Sequence, residues 1–343
     1  MRRLRLFALL LVAPLSACGG GSPTGPDQPT PTPGTPVSGF VFYDENANGV
    51  ADPAELVRLP GVTVSIGGRT GQTATGGRFT VENVPGGAQS ASARPETLPT
   101  AFVAGPPLAV SVPAAGELAV PAQLPLGSRA QPNLYLGFGD SITAGDGSSD
   151  GQGYRGWLHA DLRAYWGKAQ VHNGGLSGSK SPVGEERLGR LLADYRPAYL
   201  LVLYGTNDYN EPQCRAALPC FTVDALRSMV LQARDFGAVP VVGTIPPVNP
   251  LYVDRNAEER NDWVRRMNEH VRAMARQEQV AVAEVYGDFM REPSLSALFE
   301  DDKHPNDAGY RVMSRSFFSA ITRPYSAAGS SARRRLFGFA PGR

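Results

Sequence analysis

Beyond residue 130 the chain alternates short apolar runs with longer stretches of helical period. Five runs are strand-like: Leu134–Phe138, the stretch around Val171, Tyr199–Tyr204, Val239–Ile245 and Val280–Val285. The third reads YLLVLY without a break, as a strand covered on both faces does. Helices are predicted near 154–166, 184–195, 223–236 and 255–278. In the last, Trp263, Met267, Val271 and Met274 fall at steps of four, four and three, a core-facing stripe. Five strands alternating with helices predict an α/β fold, a parallel five-stranded sheet flanked by helices over 132–323, with ligands bound at the carboxyl ends of the strands. Before residue 124 the period changes to two. Val62, Val64 and Ile66 alternate with small or polar residues, as do Phe79 and Val81, and Gly67-Gly68 and Gly76-Gly77 break the runs. That pattern predicts a small antiparallel β sandwich over 38–124.

Composition supports the same division. The 343 residues are enough for two domains, and all three Trp, all four His and both Cys other than Cys18 lie after residue 127. With 33 Lys+Arg against 32 Asp+Glu, the net charge of +1 argues against a nucleic-acid partner. The two ends are basic and the body between them is mildly acidic. Arg2, Arg3 and Arg5 precede the apolar Leu6–Ala13, and Leu15-Ser16-Ala17-Cys18 follows, the order of a secretory signal over residues 1–17. Leu-Ser-Ala-Cys resembles the bacterial lipobox. The resemblance implies lipidation of Cys18, so an exported lipoprotein anchored to a membrane of the cell envelope is expected. Gly19, rather than Asp, after the Cys resembles outer-membrane sorting. Residues 18–37 are rich in Pro, Gly and Thr and read as a semi-extended linker. The tail 324–343, with Arg333–Arg335, reads as disordered. No apolar run approaches the ~20 residues of a membrane-spanning helix. A monomer is expected.

One segment of the β part carries a ligand pattern. Asp44 to Glu55 spans twelve residues with oxygen side chains at positions 1, 3, 5, 9 and 12 and Gly at 6. Asp44, Asn46, Asn48, Asp52 and Glu55 would ligate calcium with their side chains and Val50 with its carbonyl. The plainer reading is a polar Asn/Gly turn. Phe40 and Phe42 before it alternate as a strand, which excludes an EF-hand helix pair. Gly39-Phe40-Val41-Phe42, Leu59-Pro60-Gly61-Val62-Thr63-Val64, Gly77-Arg78-Phe79 and Val84-Pro85-Gly86 resemble the calcium-binding B-type repeats of bacterial surface adhesins over roughly 38–112. The resemblance implies a structural calcium and a presenting role.

The candidate chemistry follows the strands. Gly139-Asp140-Ser141 comes after the first and puts a hydroxyl at a helix start, where negative charge is favoured. Asn173-Gly174-Gly175-Leu176-Ser177-Gly178 follows the second, and Gly205-Thr206-Asn207-Asp208 the third. Near the end stands Asp301-Asp302-Lys303-His304-Pro305-Asn306, with an Asp three residues before a His. In this order the four blocks resemble the SGNH (GDSL) hydrolases over about 132–323. The resemblance implies a flavodoxin-like sheet and ester hydrolysis through an acyl-enzyme. It makes Ser141 the nucleophile, His304 the base and Asp301 its orienting partner, with Asp302 the alternative for that role. The oxyanion donors it implies are the Ser141 and Gly175 backbone N–H groups and the Asn207 side chain. His159, His172 and His270 are the other histidines, of which His172 stands nearest an oxyanion block. No catalytic cofactor or metal is expected, since no His/Cys/Asp cluster has catalytic-metal spacing. Cys214 and Cys220 are expected to form a disulfide in an exported chain. The substrate is then a small-molecule or polysaccharide ester. Two rivals remain open at this point: an adhesin-like or carbohydrate-binding surface protein with a degenerate hydrolase domain, and an O-acyltransferase using the same site.

Overall fold

A computed structural model describes residues 34–325. The leader, Cys18, the linker before Gly34 and the basic tail beyond Tyr325 lie outside the described residues. Eight strands come first: β1 (Thr35–Tyr43), β2 (Thr63–Ile66), β3 (Arg69–Gln72), β4 (Arg78–Val84), β5 (Gly87–Ala93), β6 (Val103–Ala104), β7 (Leu108–Val112) and β8 (Leu118–Gln123). They form two four-stranded sheets, ordered β4-β1-β8-β6 and β3-β2-β5-β7. Pairing is antiparallel except between β1 and β8, which run parallel from Gly39↔Leu118 to Tyr43↔Ala122. The first and last strands of this part can run parallel because the whole of the intervening chain serves as their crossover. β1 starts at Thr35, inside the segment expected as linker.

The second part is a parallel sheet of β9 (Leu134–Gly139), β10 (Gln170–Gly175), β11 (Tyr199–Leu203), β12 (Val239–Gly243) and β13 (Ala281–Ala283), ordered β10-β9-β11-β12-β13. The helices are α1 (Ser141–Ala144), α2 (Tyr154–Trp166), α3 (Ser181–Tyr195), α4 (Pro212–Ala216), α5 (Thr222–Phe236), α6 (Ala257–Gln277), α7 (Val285–Arg291) and α8 (Asp307–Thr322). Side chains alternate across the sheet, as the pleat requires. Leu136, Phe138, Leu200 and Val202 share a core with residues of α3, α5 and α6. Tyr135, Tyr199, Leu201 and Leu203 join residues of α2 and α8 in another. That second core runs without a break into the β part, to Val41, Val62, Val64, Phe79 and Val120.

The seam between the parts is aromatic. Phe102 packs edge-on against Tyr43 at 5.1 Å and Trp166 at 5.9 Å, and Tyr135 stacks on Tyr199 at 5.1 Å. Polar contacts lock it: Tyr199 donates to the Thr100 carbonyl at 2.9 Å, and Thr100 donates through Oγ1 to the Ala320 carbonyl at 2.7 Å. Glu45 accepts from Asn133 at 2.7 Å and pairs with Lys168 at 3.3 Å. Phe102→Ala should therefore cost about 3–5 kcal/mol, the range for a buried aromatic. Denaturant unfolding followed by far-UV dichroism and by the Trp166 environment should lose stability together. A loss confined to one probe would contradict a shared core.

Candidate active site

The strand register aligns three chain ends. Gly139, the last residue of β9, pairs with Gly175 at the end of β10 and with Leu203 at the end of β11. The segments that follow therefore leave the sheet from one edge. Ser141 opens α1 immediately after β9. Asp140 caps that helix, accepting from Ile142 N–H at 3.0 Å. The block beyond β13 returns to the same edge. Asn306 caps α8 by accepting from Ala308 and Gly309 N–H, and its amide donates to the Ala297 carbonyl at 2.9 Å. Asn249, in the segment after β12, holds this block from below: it donates through its amide to the Asp301 carbonyl and through its N–H to the Asp302 carbonyl.

His304 Nε2 lies 2.9 Å from Ser141 Oγ, and its Nδ1 lies 2.7 Å from Asp301 Oδ2. The other Asp301 oxygen accepts the backbone N–H groups of His304 at 2.7 Å and Lys303 at 2.9 Å. Partial burial pushes the Asp301 pKa up. Those two N–H groups and the His304 ring outweigh it and leave the carboxyl below its ordinary value. Asp302 is engaged elsewhere, 3.6 Å from Arg260 and 3.4 Å from Lys303. The remaining histidines make other contacts or none near Ser141. His159 accepts from Val171 N–H, and His172 packs on Tyr195.

The oxyanion residues divide. Asn207 is 6% exposed, and its amide donates one hydrogen to the Ser179 carbonyl at 3.0 Å, leaving the second. Its neighbour Asp208 anchors the turn, accepting from Ser181 N–H, Ser181 Oγ and Thr222 Oγ1. Gly175 does not offer a free N–H, because that group donates to Asn173 Oδ1 at 2.9 Å. Its lack of a side chain has another cause: a Cβ there would come within 2.2 Å of the Ala144 nitrogen, so glycine lets β10 approach α1. Gly178 is the residue that was missed. Its φ of +76° turns the chain in the left-handed region, and its N–H has no acceptor among the described residues. Ser177 is tied to Asp146, just beyond α1, and Ser179 to Asn207. Gly178 thus sits between the Ser141 and Asn207 segments. The same glycine-rich block names it, but one-dimensional spacing cannot choose among Gly174, Gly175 and Gly178.

A second missed residue is Arg187 of α3. Its Nη2 donates to the Gly139 and Gly174 carbonyls at 2.9 and 2.6 Å and to the Tyr204 hydroxyl at 2.6 Å. It ties the ends of β9 and β10 together under Ser141. Cys214 and Cys220 are joined as a disulfide with Cα atoms 5.0 Å apart, and the Cys214 carbonyl accepts from the Trp263 indole at 2.8 Å.

In the β part, Gly49 adopts φ +77°. Asp44 accepts from Asn48 and Gly49 N–H and from Gln123. Glu55 accepts from Glu45, Asn46 and Asp52 N–H, and Asp52 accepts from the Asn46 and Asn48 amides. Val50 is exposed, and its N–H donates to Asn48 Oδ1. Among the described residues no group of three or more His, Cys, Asp or Glu is arranged to hold a metal ion.

A five-stranded parallel sheet presenting a serine, a histidine and an aspartate in hydrogen-bonding sequence defines an α/β hydrolytic protein of the serine type. A profile of the GDSL-like lipase/acylhydrolase family matches residues 138–312, half of the chain, and the chain belongs to that family. It is 33% identical over 132 residues to Esterase TesA of Pseudomonas aeruginosa, a match covering 38% of this chain and 64% of that protein's length. Among solved structures it is similar to the lipase/acylhydrolase from Enterococcus faecalis, with 19% identity, 57% of this chain and 100% of that one, and a TM-score of 0.47. It is also similar to Axe2, an acetylxylan esterase from Geobacillus stearothermophilus, with 19% identity, 59% and 100% coverage, and a TM-score of 0.46.

The buried Asp140 generates a pH prediction. Burial pushes its pKa up to about 7, against the lowering effect of the Ile142 N–H. The unfolded carboxyl releases its proton near pH 4 and the folded one near 7. Stability from the protonated carboxyl is therefore present in acid and lost as pH rises through that window. Asp140→Asn keeps the capping oxygen. It should remove this slope and raise stability at pH 7, relative to the parent, by roughly 2–4 kcal/mol. Denaturant midpoints of both proteins from pH 4 to 8 would show it; parallel curves would contradict it.

Proposed function

We propose that this protein is a serine esterase that hydrolyses carboxylic esters through an acyl-enzyme on Ser141. The observation that carries the reading is the contact running from Asp301 Oδ2 through both ring nitrogens of His304 to Ser141 Oγ. Family membership and the likeness to Esterase TesA support it. Ser141 Oγ attacks the ester carbonyl while His304 Nε2 takes its proton. Asp301 holds the Nδ1–H, which keeps Nε2 an acceptor, and its charge stabilises the imidazolium. The carbonyl oxygen becomes an oxyanion, met by the Ser141 and Gly178 N–H groups and the free Asn207 amide hydrogen. One such donor is worth about 3 kcal/mol. His304 then gives its proton to the leaving alcohol, and water repeats the sequence to release the acid. Acetyl esters of glycans and short-chain lipid esters are the proposed substrates.

Ser141→Ala should lower ester turnover by about 10⁴-fold or more with the dichroism spectrum unchanged. His304→Ala should be comparably damaging, because the groups act as a unit. A Ser141→Ala protein of undiminished activity would end the proposal.

The proposed setting is the cell envelope, with lipid on Cys18, residues 18 to 34 as tether and the β part as a spacer. The motif at Cys18 motivates the anchor. The intact mass of membrane-extracted protein should correspond to cleavage before Cys18 plus acyl chains; an unmodified Cys18 would refute it. The Asp44–Glu55 pattern motivates one structural calcium. An ion there would compete with the loop's own amides for the Asp44, Asp52 and Glu55 oxygens, so binding should be weak. Calorimetric titration of the full chain should show one site that Asp44→Ala removes. Silence at millimolar calcium would return the loop to a hydrogen-bonded turn.

A further inference from the structure

A cavity of about 460 Å³ has Asp302 and Lys303, the two residues between Asp301 and His304, in its wall and none of the triad residues themselves. It opens between the turn after Asn207, the start of α6 and the stretch that joins Asp301 to His304. Its charged lining is four cations, Arg215, Arg255, Arg260 and Lys303, against two anions, Asp254 and Asp302. Arg260 is the central group. It is 8% exposed, and its guanidinium reaches Asp302 only at 3.6 Å and the Thr206 carbonyl only at 3.5 Å. A buried guanidinium with such long contacts has N–H donors to spare. Arg215 is fixed on the wall by its bonds to the Tyr209 and Asn210 carbonyls at 3.1 and 3.0 Å. Tyr209 also lines the cavity, with its ring under the Arg260 guanidinium at 5.2 Å and its buried hydroxyl beside the Glu259 carboxylate. An apolar acyl chain would leave the spare Arg260 donors unanswered, at a desolvation cost. A carboxylate or phosphate would answer them.

We propose that this cavity binds an anionic group, carboxylate or phosphate, carried on the alcohol part of the ester, an inference that rests on the esterase reading above. The side follows from the chemistry. His304 protonates the leaving alcohol, and the cavity wall contains Asp302 and Lys303, the residues leading into His304. Arg260 touches both the Asn207 and the His304 segments, so the anion would be held across the two. The step itself is unchanged: the carbonyl–oxygen bond breaks, the alcohol leaves with the proton from Nε2, and the anion only anchors it.

The test compares two matched pairs on the full chain: O-acetyl glucuronate with O-acetyl glucoside, and acetyl glycerol phosphate with acetyl glycerol. Within each pair the anionic ester should show a KM lower by about tenfold or more. That advantage should shrink in about 0.5 M salt and vanish in Arg260→Gln. The pair with the larger advantage identifies the anion's source. Arg255→Gln, at an exposed side chain, should weaken the preference without touching the buried wall, and it serves if Arg260→Gln does not fold. Binding of free glucuronate and glycerol phosphate, read by calorimetry against glucose and glycerol, is independent of turnover. Anion binding without hydrolysis of any ester would remove the esterase reading and, with it, the assignment of the anion to a leaving alcohol, and would overturn the inference as stated. Equal KM values within both pairs, with no preferential anion binding, would overturn the inference.

Discussion

The structure turns on one line of hydrogen-bonding contacts, Asp301 to His304 to Ser141, whose outer members are 160 positions apart in the chain. A hydroxyl at its ordinary pKa is a poor nucleophile, so it needs a base at contact distance and a partner that holds the base's ring. Contacts of 2.9 and 2.7 Å satisfy both needs only if the β9 end and the α8 start meet at one sheet edge. The parallel sheet makes that meeting possible, because strands running in one direction release their following segments on one side. The shared register of Gly139, Gly175 and Leu203 then brings the first three segments to one level.

Holding that edge together requires buried polar groups, which are answered by the backbone and, at Asp208, also by the Ser181 and Thr222 hydroxyls. Arg187 joins the carbonyl ends of β9 and β10. Arg155 does the same for the end of α1, donating to the Thr143 and Ala144 carbonyls. Asp208 secures the starts of α3 and α5, and Asn249 secures the Asp301 turn. Buried Asp140 opposes this, since its burial disfavours the charged form in the element that presents the nucleophile. The β part contributes to the same rigidity through Phe102 and Tyr43, packed at the α2 end of the hydrolase core.

Much of this is legible in the chain, for identifiable reasons. The five strands and the four predicted helices announce themselves through apolar period, whereas α8, 16 residues long, is not among them. Ser141, Asn207, Asp301 and His304 stand next to strand ends or a helix start, which marks them as candidates; their pairing comes from the resemblance to the SGNH hydrolases. Gly175 against Gly178 is different: the choice depends on which N–H is already taken, and only the side chain of Asn173 decides that. Arg187 and Arg260 carry no signal in the sequence, because their partners are carbonyls and a carboxylate far away along the chain. The parallel pairing of β1 with β8 is hidden for the same reason. The loop from Asp44 to Glu55 shows the opposite case, where a full ligand pattern in sequence coincides with carboxylates already satisfied by amides.

The most direct measurement of the central claim is to trap the covalent state. The full chain would be mixed with a short-chain ester, quenched in acid during turnover and mapped by peptide mass. The expected result is an acyl group on the peptide containing Ser141, appearing before product accumulates and absent from the Ser141→Ala protein. Steady hydrolysis with no acylated Ser141, or with the acyl group on another residue, would contradict it.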